Sequence, residues 1–231
     1  MSLRDFGLLF LICFFWGVNL VMTRWVVADH DVPPLFFAAV RFLGVAVCLI
    51  PFLRPVPKNL FTLFLIAMLI GCLNFALLFM GLANAEVSAA AVTGQLGVPI
   101  STLMSMVFLG EKIRWRRGVG IALAFLGVVV IAFDPASFSL SFGLLLIVTA
   151  AFLGSAGGIV MKRMAPMGAL NLQAWVGLFS FAPLFAVSFL METGQVESYL
   201  HGGWEVWLAS LFAILGVSIF AHSAFYVLVK K

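Results

Sequence analysis

From Val87 to Leu109 the chain runs 23 residues without a charged side chain. A helix rising ~1.5 Å per residue needs ~20 residues to cross a hydrocarbon core of ~30 Å, so this stretch reads as a membrane span. Within it Ala90, Gly94, Gly97, Ser101 and Ser105 recur at spacings of four, three, four and four, which places them on one face suited to close helix packing. Gln95 sits near the middle and Pro99 follows four residues later. Proline lacks an N–H and crowds the carbonyl of residue i−4, so the spacing predicts a kink that frees the Gln95 carbonyl. An amide and a free carbonyl at mid-membrane must face other protein, water or a ligand. Two readings stay open: a polar contact between helices, or one wall of a solute cavity.

The rest of the chain repeats the theme. Hydrophobic residues make up 64% and charged residues 10% of 231, with a mean hydropathy of +1.20, far from soluble composition. Eight apolar spans are expected: Phe6 to Val27, Pro34 to Leu53, Leu60 to Leu82, Val87 to Leu109, Trp115 to Phe133, Phe138 to Met161, Leu170 to Met191, and Trp204 to Val229. The loops are a few residues long, so consecutive spans are antiparallel neighbours and no soluble domain is left over. The first span is too long for a removable signal peptide, lacks a small-residue cleavage site and is followed by many others. Cys13, Cys48 and Cys72 lie inside apolar runs and read as small packing residues, with no metal site and no cofactor implied. The net charge of +4 points to no nucleic acid, because what matters in a membrane chain is where the positive charges fall.

They fall on one side. Arg4, Arg54, Lys58, Lys112, Arg114, Arg116, Arg117, Lys162, Arg163, Lys230 and Lys231 belong to alternate loops, while Asp29, Asp31, Glu86, Asp134, Glu192, Glu197 and Glu205 occupy the others. The positive-inside rule therefore predicts a cytoplasmic N-terminus in a multi-pass inner-membrane protein. Arg24 and Arg41 break the pattern. Arg24, near the outer end of the first span, is expected to snorkel beside Trp25. Arg41 is seven residues past Pro34, roughly 10 Å into its span, where a charge faces the bundle interior or a partner. An ion pair with an outer-loop acid and a role in a transport path are both compatible with that depth.

The order of features restarts after Asp134. Phe6-Gly7-Leu8-Leu9 is answered by Phe142-Gly143-Leu144-Leu145, Asn19 to Arg24 by Gly158 to Arg163, and Gly71 to Ala76 by Gly216 to Ala221. Five spans separate the copies, so the second enters the membrane from the opposite side, as in the inverted repeats of transporters. Trp16-Gly17-x-Asn19, Arg41-Phe42, the ending Leu109-Gly110-Glu111-Lys112 and the glycines Gly118, Gly120 and Gly127 resemble the EamA family of the drug/metabolite transporter superfamily. The similarity looks closest to exporters of cysteine-pathway metabolites and related amino acids. It implies ten helices in two inverted five-helix units, a central cavity and alternating access without ATP. Here residues 1–133 would be one unit and 134–231 an incomplete second unit with three of its five helices. The chain is then either a fragment or a shortened form that closes its cavity with another chain, for instance as a homo-oligomer.

A solute pocket needs a few polar groups among apolar walls near the midplane. The candidates are Trp16, Asn19, Asn74, Gln95 with Pro99, and Ser218, with His222 and Tyr226 nearer the cytoplasmic end. Arg41, Glu111, Gly94 and Gly97 are the candidates for structural or gating roles. Each has a plainer reading: Asn19 and Asn74 as hydrogen-bond glue, Trp16 as packing, Tyr226 as an interfacial anchor, His222 as a structural histidine, Glu111 as a loop-orienting residue. No Asp or Glu lies at mid-membrane, which favours facilitated or exchange-like export and leaves proton coupling to His222. The expected partners are a small-molecule solute, amino-acid-like or amphipathic as in multidrug efflux, and the lipid bilayer. A membrane enzyme would want paired acids, a metal cluster or an activated nucleophile, and none is legible. A non-transporting fragment or subunit is the remaining alternative.

Overall fold

The computed structural model describes residues 3–112, 114–134 and 139–229. Helix α1 runs Leu3–Asp29, α2 Pro34–Cys48, α3 Leu60–Ala83, α4 Val87–Leu109, α5 Trp115–Ala132, α6 Phe142–Lys162, α7 Ala169–Met191, α8 Gln195–His201 and α9 Gly203–Leu228. Six of them, α1, α3, α4, α6, α7 and α9, are long and apolar enough to cross a membrane. The protein is therefore a multi-pass helical membrane protein. Helix α2 is shorter than expected. Its α-helical part stops at Cys48 and only a 3-10 turn, Ile50–Leu53, follows, because Pro51 has no N–H to continue the ladder. Helix α5 ends at Ala132, one residue short of the expected Phe133, which instead opens a two-residue antiparallel pairing of Phe133–Asp134 with Ser139–Leu140. Phe138, expected to begin the sixth span, lies outside the described residues, as do Lys230 and Lys231. Helix α6 starts at Phe142, where the Ser141 hydroxyl oxygen accepts the Leu144 N–H. The short helix α8 stands where a loop was expected.

The helices pack in pairs: α2 on α7, α3 on α6, α1 on α9, and the second segment of α4 on α6. The pair α2–α7 is joined along its whole length. At one end the Glu192 carboxylate, just past α7, accepts the N–H groups of Leu35 (2.8 Å) and Phe36 (3.1 Å), the orphan donors of α2. The Ser188 hydroxyl donates to the same carboxylate at 2.6 Å. Midway, Gly177 lets the backbones meet, since a Cβ there would lie 3.1 Å from the Phe42 oxygen and the Ala46 nitrogen. At the other end the Asn171 amide donates to the carbonyls of Phe52 (2.6 Å) and Pro55 (3.2 Å). The main core, with Phe37, Phe42, Phe79, Leu82, Leu144 and Leu184, forms where α2, α3, α6 and α7 converge.

Three π-helical segments were not anticipated: Trp25–Asp29, Ala67–Leu73 and Phe212–Ala221. The second lies in α3 and the third in α9, each overlapping one of the matched stretches Gly71–Ala76 and Gly216–Ala221. A π turn loosens the carbonyl ladder. In α3 the Ala67 carbonyl accepts the Ser180 hydroxyl of α7 at 3.1 Å.

Helix α1 is the most exposed of the six long helices, and Phe10, Phe14 and Val21 lie on its outward side. Cys13 and Cys48 are exposed as well, so only Cys72 of the three cysteines packs inside the bundle.

Candidate functional site

Helix α4 is broken where Pro99 predicts. Val87–Gly94 and Gly97–Leu109 are separate helical segments joined by Gln95 and Leu96. The Gln95 carbonyl, however, is not free: the break tightens the turn and Val98 N–H donates to it at 3.1 Å. The Gln95 side chain is exposed, Pro99 is buried, and the two glycines do not act as close-packing points, since a Cβ on Gly94 or Gly97 would meet nothing within 4 Å. What packs is the backbone and the serines. The Ser155 hydroxyl of α6 donates to the Gly97 carbonyl at 3.1 Å, and Lys162 donates to the Ser105 hydroxyl at 3.3 Å. Lys162 also pairs with Glu111 at 3.6 Å, just past the left-handed Gly110 that ends α4, and Arg163 donates to the Phe108 carbonyl. Glu111 thus ties α4 to the end of α6 rather than orienting its own loop alone.

Asn74 follows its plainer reading. Its amide donates to the Ala150 carbonyl of α6 at 2.6 Å, over Gly154, whose missing side chain makes the room. Arg24 does not snorkel freely; its Nε donates to the Ala85 carbonyl at 3.2 Å, fastening the end of α1 to the loop before α4.

Arg41 is the departure with most chemistry in it. It is 1% exposed, and the expected outer-loop acid is absent from its contacts among the described residues. Nε donates to the Ser218 hydroxyl of α9 at 2.8 Å, and the guanidinium carbon stands 4.5 Å above the Phe75 ring of α3. Nη1 and Nη2 are buried and have no hydrogen-bond partner. The Phe75 ring lies 6.3 Å from the His222 ring, which in turn lies 5.7 Å from Trp16 of α1. The Trp16 indole N–H is also buried without a partner. Four helices, α1, α2, α3 and α9, therefore bring Trp16, Arg41, Phe75, Ser218 and His222 into one cluster at the depth where these helices turn π-helical in α3 and α9. Asn19 and Tyr226 are half-buried on the same two outer helices, and Tyr226 packs against the main core. Gln95, at the break in α4, makes no described contact with this cluster.

The sequence reading missed Phe75, Glu192, Asn171 and Ser155. Phe75 was hidden among 25 phenylalanines, and nothing marks one of them as a cation's neighbour. Asn171 and Glu192 gave no local signal, because the groups they bind lie more than a hundred residues away.

Comparison with known proteins agrees with this architecture. The EamA-like transporter family matches residues 6–133. Two probable amino-acid metabolite efflux pumps, from Escherichia coli (strain K12) and Salmonella typhimurium (strain LT2), are each 30% identical over 201 residues, which cover 83% of this chain and 66% of the relative. The chain thus spans just under two thirds of the length of these curated relatives. The chain belongs to the EamA-like transporter family.

Proposed function

We propose that this chain is the larger part of an inner-membrane exporter of small amino-acid-like solutes, working by alternating access between two inverted five-helix units. Residues 1–133 supply one unit through α1 to α5, and residues 134–231 supply three helices of the second, α6, α7 and α9, making eight spans with the N-terminus in the cytoplasm. The observation that carries the reading is the buried polar cluster at Arg41, built from three helices of the first unit and one of the second. The pairing of helices supports the repeat: α1 lies on α9 as α6 lies on α3, its counterpart pairing, and α2 lies on α7, where a two-fold axis would fall. Lys162, Glu111 and Arg163 sit at the basic end and would close it when the cavity opens outward. Gln95 presents an exposed amide halfway along a membrane helix, a placement that hydrocarbon disfavours and a wet solute path accepts.

The test is efflux of radiolabelled alanine and serine from cells expressing the chain, with membrane insertion checked by fractionation. Export above the empty-vector rate, lost in Gln95→Leu while insertion is kept, is the expected result. Equal export by Gln95→Leu removes Gln95 from the path. No export by the inserted chain favours the alternative of a subunit that needs a partner to complete the cavity.

A further inference from the structure

We infer that the Arg41 cluster is a carboxylate-recognition site, in which Nη1 and Nη2 of Arg41 bind the acid group of the solute and the Trp16 indole N–H flanks it. This rests on the exporter reading and adds to it which end of the solute is read, and by what. Every buried polar group tends to find a partner, and a guanidinium has five N–H donors in a flat fork. Of the Arg41 nitrogens only Nε is engaged, with Ser218 at 2.8 Å; both terminal nitrogens are buried and unpaired. The bond at Nε fixes the plane of the fork and leaves its outer edge, the edge that fits a carboxylate with two parallel hydrogen bonds.

The surroundings select the sign and shape of the occupant. Phe75 lies 4.5 Å beneath the cation and stabilises positive charge without supplying an acceptor. Ser218 already accepts from Nε, and no Asp or Glu side chain pairs with Arg41 among the described residues. The Trp16 N–H, whose ring lies beside that of His222, is unpaired and is another donor. Three unpaired N–H donors around one fixed positive charge, with no carboxylate beside them among the described residues, favour an anion over an ammonium or an ester. Elsewhere Asn74, Asn171, Ser180 and Glu192 have partners, while Thr23, Arg24, Thr93, Trp175 and Ser223 each leave one buried atom unpaired; Arg41 differs in carrying a full charge with two unpaired nitrogens. An anion of either source, a solute carboxylate or a small inorganic ion such as chloride, would satisfy the fork, and we assign it to the solute because Trp16 and Phe75 offer apolar faces for the rest of a small organic molecule.

The experiment measures thermal unfolding of the purified protein in detergent with alanine, alanine methyl ester, alaninamide or chloride added, beside efflux of the same compounds. Protection by alanine, with the ester and amide weaker by about ten- to a hundredfold, is the expected result. Arg41→Gln should lose the difference between acid and ester, Arg41→Lys should keep part of it, and Trp16→Phe should weaken alanine by a few-fold. Equal protection by acid and ester overturns the assignment, as does protection by chloride with no response to alanine. If Arg41→Gln does not fold, the acid-to-ester ratio in the wild-type protein and in Arg41→Lys decides. Acid-selective protection without efflux would overturn the exporter reading and leave the site standing, so the two failures are distinguishable.

Discussion

The α2–α7 pair and the Arg41 cluster both bury polar groups in an apolar bundle, and they do so in opposite ways. At both ends of α2–α7 the anchoring groups are paired: Glu192 holds the first N–H groups of α2, Asn171 holds the carbonyls of Phe52 and Pro55 just beyond it, and between them Gly177 brings the backbones together. In the Arg41 cluster the cation has one bond and two free nitrogens, and the neighbouring indole N–H is unbonded. A satisfied network contributes rigidity, because breaking it orphans several groups at once. An unsatisfied one contributes little to stability and is ready to bind. The paired groups hold the ends of α2 in place, whereas the charge with two unpaired nitrogens marks the proposed site.

Perturbing the scaffold should produce the largest losses of stability. Glu192→Ala orphans two backbone donors and the Ser188 hydroxyl, and a loss of ~2–5 kcal/mol in denaturant unfolding is expected. Gly177→Leu must push α2 from α7 and should lower stability by ~1–3 kcal/mol, with efflux falling in step with the folded yield. Asn171→Ala, which frees two carbonyls near the end of the pair, should cost about 1 kcal/mol.

A pH titration probes the outer edge of the scaffold. Burial pushes the Tyr199 phenol up from 10.0 to about 12, partly offset by its hydrogen bond with Ser210. The folded state thus holds the proton more tightly than the unfolded state. The stabilisation is complete below pH 10 and is lost as the pH rises towards 12, so unfolding temperature should fall in that window and Tyr199→Phe should flatten the fall. A smaller effect is expected from Lys162→Ala, whose half-exposed pair with Glu111 at 3.6 Å contributes under ~1 kcal/mol. Its consequence should appear in efflux rate instead, if this contact closes the basic end.

The membrane spans were legible because each long helix is an uncharged or nearly uncharged run, and hydrocarbon leaves the backbone no other choice. Arg41 and Gln95 were legible for the same reason: a polar residue in such a run stands out. Pro99 announced the break in α4, although the Gln95 carbonyl found Val98 instead of staying free. What Arg41 touches was not legible. An acidic partner looked reasonable because acids line the outer loops, yet its depth in α2 brings it to Ser218 of α9, 177 residues away in sequence. Glu192 read as an outer-loop acid and Asn171 as the second residue of a span, since the groups they hold, at the start of α2 and just beyond its end, belong to the other half of the chain. The π turns in α3 and α9 have no periodic signature, although each overlaps one of the matched stretches Gly71–Ala76 and Gly216–Ala221.

The contrast between paired scaffold and unpaired site is tested most directly by measuring unfolding temperature and alanine efflux together for Arg41→Gln and Glu192→Ala. The account predicts that Arg41→Gln unfolds within a few degrees of the wild type, at about the size of a surface substitution, and exports nothing, while Glu192→Ala loses both. An Arg41→Gln variant that exports at the wild-type rate, or that unfolds as early as Glu192→Ala, would contradict it.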